Sequence, residues 1–151
     1  MLFKNAELFN IVDLPPAADG RGGYDLYRLP ADIRAEADEG LRLRTSHFTC
    51  GAEIRFVINS GTAKITLRTA GALVTDKPSR HGVLVTYFGG IQSGWQTSTY
   101  SFSDEPTTIE IAPPANLPSL ELLTKLNGYP YSPKVIRLLF SSAPAALLDI
   151  E

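Results

Sequence analysis

The residues best suited to nucleophilic chemistry are one cysteine and two histidines. Cys50 is the single cysteine, and the histidines are His47 and His81. A thiol becomes a nucleophile when a histidine within hydrogen-bonding reach takes its proton. Neither histidine has the neighbouring pattern of a recognisable base, and a lone cysteine before a strand is more often a small buried hydrophobic residue. Because Gly-x-Ser-x-Gly and Gly-Asp-Ser are also absent, the sequence predicts no catalytic residue.

The sequence also gives no support for a metal site, a phosphate-binding loop or the paired carboxylates of a glycosidase. One cysteine and two histidines, separated by a predicted hairpin, do not match the spacing of zinc ligands. The stretches 20–23 and 89–90 are rich in glycine, but neither follows a buried parallel strand and begins a helix, so both are interpreted as turns. The acidic residues are scattered, and paired catalytic carboxylates are less expected than surface charge. We therefore expect no metal and no cofactor.

Aromatic residues are the remaining candidates for a binding site. Flat rings on a rigid scaffold hold sugars, because the C–H face of a pyranose stacks on the ring while polar neighbours reach the hydroxyls. Trp95, in a glycine-rich loop, and Tyr129 and Tyr131, in a Tyr-Pro-Tyr turn, are the candidates for exposure. The aromatic residues expected in strands and in the core are Tyr87, Phe88 and Phe102. The sequence thus gives a candidate sugar platform of one tryptophan and two tyrosines.

Composition limits the class of protein. A chain of 151 residues fits one domain and can bury a core without disulfides or metals. The net charge is −2 and the 14 basic residues are dispersed, which argues against a nucleic-acid partner. The apolar runs are far shorter than the ~20 residues that span a bilayer, and the N-terminal sequence lacks the apolar core of a signal peptide. We expect a soluble, cytoplasmic domain that does not bind membranes.

Alternating apolar residues predict a mostly β-structured chain. Residues 53–59 alternate strictly, Ser60 and Gly61 supply a turn, and Ile65 and Leu67 continue the alternation, so an antiparallel hairpin is predicted here. Further strands are predicted at 8–14, 24–28, 83–88, 95–102, 107–111, 135–140 and 147–150. Eight or nine short strands with turns between them are typical of an antiparallel β-sandwich or barrel.

Two short helices interrupt the strands. The first is predicted at about 30–44, where Pro30 begins it and acidic residues precede basic ones. Its apolar stripe is narrow, so it is expected on the surface. The second is predicted at 118–127, with leucines at helical spacing and Gly128 as its C-terminal stop. We expect this second helix to cap an open end of the sandwich.

Four segments of the chain occur in a distinctive order: an R-x-P-x-x-x-R helix start at 28–34, a strand ending in E-I-R-F at 50–56, a late YSPKVIRLLF, and a terminal LLDIE. Together they give the chain a resemblance to the N-terminal β-sandwich domain that precedes the catalytic domain in a group of bacterial SGNH (GDSL-type) hydrolases. It implies a jelly-roll-like sandwich that ends at a junction, here Ile150-Glu151, with a downstream SGNH catalytic domain as its partner. The glycine, serine and asparagine blocks and the Asp-x-x-His of the esterase are not in this chain, so no catalytic residue is transferred.

Three functions stay open from the sequence. The first, implied by the resemblance, is a non-catalytic accessory domain that packs on an esterase domain and aids binding of a carbohydrate or acyl-ester substrate. The second is a free-standing carbohydrate-binding module that uses Trp95, Tyr129 and Tyr131. The third is a structural sandwich that forms homo-oligomers through an apolar face.

Overall fold

The structure is a computed structural model that describes residues 1–38, 48–70, 81–91 and 95–151. In these residues, ten strands form two sheets and two helices lie between strands. The strands are β1 (Leu2–Phe3), β2 (Ala6–Phe9), β3 (Tyr24–Asp25), β4 (Glu53–Val57), β5 (Ala63–Thr69), β6 (His81–Phe88), β7 (Gln96–Ser103), β8 (Thr107–Ile111), β9 (Val135–Ser142) and β10 (Ala145–Ile150). The helices are α1 (Ala31–Glu36) and α2 (Leu117–Asn127).

The two sheets form an antiparallel β-sandwich. The six-stranded sheet has the order β1-β2-β4-β9-β6-β7, and the four-stranded sheet has the order β3-β10-β5-β8. From β4 to β10, every connection except β6 to β7 passes from one sheet to the other. Such alternation wraps the chain around one core and is typical of a jelly roll. The predicted fold class, an all-β, jelly-roll-like sandwich with two short helices, is confirmed.

The predicted hairpin between β4 and β5 is wrong, because the two strands lie in different sheets. β4 pairs with β2 and β9, whereas β5 pairs with β10 and β8. Apolar alternation fixes which face of a strand is buried, but it does not select the neighbouring strand. Both strands contribute apolar residues to the same core, and the loop around Gly61 crosses between the sheets.

The core lies between the sheets and follows the alternation of each strand. Its largest fully buried apolar residues are Leu8, Ile54, Ile65, Leu67, Leu84, Phe102, Ile136, Leu138, Phe140 and Leu147. Phe102 packs edge-on against Phe140, with 6.3 Å between ring centroids. The expected core residues Phe88 and Phe102 are buried, whereas Tyr87 is only half-buried, because its strand points it to the outer face.

The early strands are shorter than predicted. The strand expected at 8–14 spans Ala6–Phe9, and the strand expected at 24–28 spans Tyr24–Asp25. Beyond these limits the two segments still meet at an isolated bridge between Asp13 and Tyr27. Prolines at positions 15 and 16 lack the N–H donor that a longer ladder needs.

Both helices differ in part from prediction. α1 begins after Pro30, as expected, but ends at Glu36, and the predicted part from 39 to 44 lies outside the described residues. α2 ends as predicted at Gly128, whose φ of 64° allows the left-handed C-cap. On α2, Leu120 and Thr124 are buried, whereas Leu123 and Leu126, expected in the apolar stripe with Leu120, are exposed. Within the described residues, no helix is long and apolar enough to cross a membrane.

The outer faces of the two sheets differ. The outer face of the four-stranded sheet carries Arg68, which is fully buried under the loop that precedes β3. Both Nη atoms of Arg68 donate to the Asp19 carboxylate at 2.8 Å, and Nη2 also donates to the carbonyl of Gly22 at 3.1 Å. The six-stranded sheet instead exposes large apolar side chains on its outer face, among them Phe9 and Val57.

Candidate functional site

The structure brings two of the three predicted platform residues together. The rings of Trp95 and Tyr129 lie 5.9 Å apart at an interplanar angle of 86°. Trp95 is half-buried and packs against the core, and Tyr129 is also half-buried. Because the two rings are perpendicular, they cannot both lie flat against one sugar face. Tyr131, which is 42% exposed, has its ring 5.3 Å from the guanidinium of Arg137.

Arg137 connects Tyr131 to a row of side chains across the outer face of the six-stranded sheet. We call this row the arginine–aromatic strip. Its five members are Phe9, Arg55, Glu53, Arg137 and Tyr131. The strand register accounts for the row, since Phe9 of β2 lies opposite Glu53 of β4, and Arg55 of β4 lies opposite Arg137 of β9.

A buried carboxylate holds the centre of the strip. Glu53 is 4% exposed, and its Oε2 accepts hydrogen bonds from Nε of Arg55 and Nε of Arg137, both at 2.7 Å. Its Oε1 accepts a further hydrogen bond from Nη2 of Arg137 at 2.6 Å. The geometry between Arg137 and Glu53 is bidentate, which is the strongest form of this pair. Both guanidiniums are thereby fixed in position.

Electrostatics keep this carboxylate ionised. Burial raises the pKa of Glu53, but the hydrogen bonds from Arg137 and Arg55 and their positive charges outweigh burial, so the net pKa is lowered. The hydrogen bonds to Glu53 raise the pKa of Arg137 in turn. A carboxylate with a lowered pKa is a poor proton donor. Glu53 therefore serves to position the arginines.

Each end of the strip presents an aromatic ring to solvent. The guanidinium of Arg55 lies 3.5 Å from the ring centroid of Phe9, and Phe9 is 42% exposed. Nη1 of Arg55 lies 3.6 Å from Oε2 of Glu7, beyond hydrogen-bonding distance, so this end of the guanidinium keeps donors for a ligand. The strip therefore combines two exposed rings with rigid hydrogen-bond donors between them.

Sequence reasoning found only Tyr131 among the five residues of the strip. Glu53 and Arg55 occupy outward positions of a strand whose inward positions are apolar, and Arg137 does the same in β9. Two arginines and a glutamate at outward positions of two apolar strands are a signal visible in the sequence. However, Glu53 and Arg137 are 84 residues apart, and only the pairing of β4 with β9 shows that they meet.

The candidate thiol dyad is only partly within the described residues. Cys50 is exposed, so the expectation of a small buried hydrophobic residue is wrong. The residue lies in a turn before β4, where its side chain does not reach the core. His81 is exposed at the start of β6, and His47 lies outside the described residues. Across the ranges that the structure describes, no three His, Cys, Asp or Glu residues are grouped as a metal site would require.

Comparisons with known proteins give little further guidance. No protein-family model matches the chain, and no curated protein matches it. Among solved structures, the C-terminal CBM6 of LamC, a marine laminarinase from Zobellia galactanivorans, is similar with a TM-score of 0.43 and 8% sequence identity, covering 98% of this chain and 90% of that chain. A likeness this distant assigns neither a family nor a ligand to the chain.

Proposed function

We propose that this protein is a non-catalytic β-sandwich module that binds carbohydrate on the arginine–aromatic strip. The observation that carries the proposal is the pair of exposed rings, Phe9 and Tyr131, at the two ends of two guanidiniums that one buried carboxylate fixes. A purely structural role of the strip would account for the ion pairs. It would not account for two large apolar rings that stay about two-fifths exposed beside them.

The chemistry of the strip suits a sugar chain. The C–H faces of pyranose rings are apolar and stack on aromatic rings, while their hydroxyls accept hydrogen bonds at the ring edge. Arg55, the more exposed of the two arginines, presents a planar donor group that Glu53 already immobilises, so little side-chain entropy is lost when a ligand binds. Two positive and two negative side chains meet here, since Glu7 lies beside Arg55. This balance favours a neutral saccharide over an acidic one.

Binding to a panel of neutral oligosaccharides, measured by isothermal titration calorimetry, tests the proposal. We expect Tyr131→Ala to weaken binding by about 1–2 kcal/mol, or about 5- to 30-fold, because an exposed stacking ring is lost. Phe9→Ala should act in the same direction. The matched control is Tyr24→Ala, which removes a tyrosine of similar exposure, 39%, from the other sheet.

Two results would overturn the strip as the site. One is saturable sugar binding that Tyr131→Ala and Phe9→Ala leave unchanged. The other is the absence of binding to any oligosaccharide in the panel at millimolar concentration. Circular dichroism of each variant shows whether the fold is retained.

A second candidate function is the accessory domain of an SGNH-type esterase, as the sequence resemblance implies. One contact supports it, since Nη1 of Arg28, in the helix-start motif, donates to the carbonyl of Cys50, in the strand motif, at 2.7 Å. The two motifs therefore act together as a scaffold. The outer face of the six-stranded sheet also carries apolar side chains that a neighbouring domain or a second copy could cover, namely Val57, Val83, Val85, Val135 and Leu139.

The accessory-domain proposal has its own tests. We expect the gene to encode the serine block and the Asp-x-x-His of an SGNH domain downstream of Glu151, and the isolated chain to lack turnover of aryl acetate esters. Turnover that survives repurification would contradict a non-catalytic role. A downstream sequence without these blocks would remove the esterase partner and leave the carbohydrate proposal standing.

A further inference from the structure

A cavity opens at the end of the sandwich where the chain crosses from β4 to β5. Its volume is about 320 Å³, and it lies between the β1–β2 turn, the β4–β5 loop and the end of β10. The β4–β5 loop must span the gap of about 10 Å that separates stacked sheets.

The floor of the cavity is apolar and belongs to the core. Phe56 and Ile150 are 9% and 8% exposed, and Ala6 and Ala63 complete the floor with small side chains. Small residues at these positions leave room that larger side chains would fill. The floor can therefore receive the apolar face of a ligand without displacing a side chain.

The rim is polar and its groups are available to a ligand. Asn5, Asn59, Ser60 and Thr62 line the opening and are exposed. Within the described residues, their side chains make no hydrogen bond to protein atoms. Amides and hydroxyls both donate and accept, so four such groups around an apolar floor fit a neutral ligand that carries several hydroxyls.

The turn between β1 and β2 forms one side of the rim. Lys4, in this two-residue turn, has a φ of 51°, as the tight turns of β-hairpins require. Its ammonium forms an ion pair with Asp149 of β10. This pair holds the turn beside the opening and neutralises the lysine. Glu151 also lines the opening and is exposed, and its carboxylate can accept hydrogen bonds from the hydroxyls of a ligand.

We propose that this crossover cavity is a binding site for a small, neutral, polyhydroxylated ligand, such as a monosaccharide, a disaccharide or the end unit of a longer sugar chain. The volume lies at the lower end of the range for small-ligand pockets, about 300–1,000 Å³. The site is separate from the arginine–aromatic strip and does not rest on it, because the two share no residue.

Amide chemical shifts of the whole chain, followed by NMR during titration with neutral monosaccharides and disaccharides, test the site. We expect saturable shifts at Asn5, at 59–63 and at Ile150. Asn59→Ala and Thr62→Val should each weaken binding about two- to tenfold, the loss expected for one hydrogen bond. Both positions are exposed, so the variants should fold. Ser101→Ala, on the outer face of β7, is the matched control and should change nothing.

A blocking variant makes the test decisive. Thr62→Trp places a large ring at the rim and should abolish the shifts at Ile150, while Tyr131→Ala should leave them intact. The proposal fails if no sugar at millimolar concentration shifts these amides, or if Thr62→Trp binds as the original chain does. Shifts confined to the neighbours of Tyr131 would support the strip and reject the cavity, so the two proposals can fail independently.

Discussion

Replacing Glu53 by alanine should be among the most destabilising changes on the surface of the six-stranded sheet. The substitution removes the shared acceptor of Arg55 and Arg137 and leaves two guanidiniums without their carboxylate. The side chain of Arg137 is 8% exposed and that of Arg55 is 15% exposed, so water can replace the lost hydrogen bonds only in part.

The burial of these side chains sets the expected loss in the free energy of unfolding. Removing one partner of a buried, hydrogen-bonded ion pair costs about 3–5 kcal/mol, because a charge is left uncompensated in a poorly solvated place. For a domain of this size, each 1 kcal/mol lowers the melting temperature by about 2–4 °C. We therefore expect Glu53→Ala to melt about 6–20 °C below the original chain.

Equilibrium unfolding in urea, followed by tryptophan fluorescence and by circular dichroism, measures the loss. The matched control is Glu110→Ala, because Glu110 also pairs with a cation across two strands but is 62% exposed. Exposed pairs contribute about 0–1 kcal/mol, so the control should stay close to the original chain.

The pH dependence gives an independent check of the same ion pairs. The folded pKa of Glu53 is lowered, so its stabilising contribution is complete above the ordinary glutamate pKa of about 4.3 and is lost as the pH falls through the folded value. The difference in unfolding free energy between the original chain and Glu53→Gln should be constant from about pH 6 to 8 and should shrink below about pH 4. A loss under 1 kcal/mol for Glu53→Ala, or a difference that does not change with acid, would refute the argument.

Three further predictions concern other parts of the fold. A Cβ on Gly82 would overlap the ring of Phe102, so Gly82→Ala should lose about 1–3 kcal/mol in urea unfolding, and unchanged stability would contradict this packing. Arg68→Ala should release the loop that Asp19 anchors, which limited trypsin digestion would detect as faster cleavage before β3; an unchanged cleavage rate would be inconsistent with the anchor. Burial raises the pKa of Asp25, so the contribution of this carboxyl to the stability of the original chain should fall as the pH rises above about 4 and through the folded value. Asp25→Asn should lack that loss between pH 4 and 8, and an identical slope in both proteins would show that this carboxyl is not responsible.

Local patterns in the sequence were sufficient for most of the elements and for the fold class. The alternation around Ile54 and Phe56 identified a strand and its buried face, and Gly128 marked the end of α2. These features depend on residues within a few positions of one another, through side-chain period and backbone conformation. A chain rich in such short strands has few ways to bury them other than a two-sheet sandwich.

The partners of the strands were not visible in the same patterns. The segment after Gly61 has the alternation of a hairpin arm, yet β5 pairs with β8 and β10 in the opposite sheet. Alternation shows which face of a strand is buried, but it does not show which strand lies beside it. The pairing of the strands depends on how all ten of them share one core.

The candidate sites likewise depended partly on local sequence and partly on tertiary structure. Tyr131 was recognisable because a Tyr-Pro-Tyr turn is a local feature, whereas the strip required the register that sets Arg55 opposite Arg137 and brings Glu53 between them. The crossover cavity is likewise lined by a loop whose crossing between the sheets the alternation did not reveal. The sequence by itself therefore determined the fold class, most of the strands and the buried face of a strand such as β4, since these are short-range properties. Only the tertiary structure decided which distant side chains meet, because strand pairing is set by the packing of the whole core.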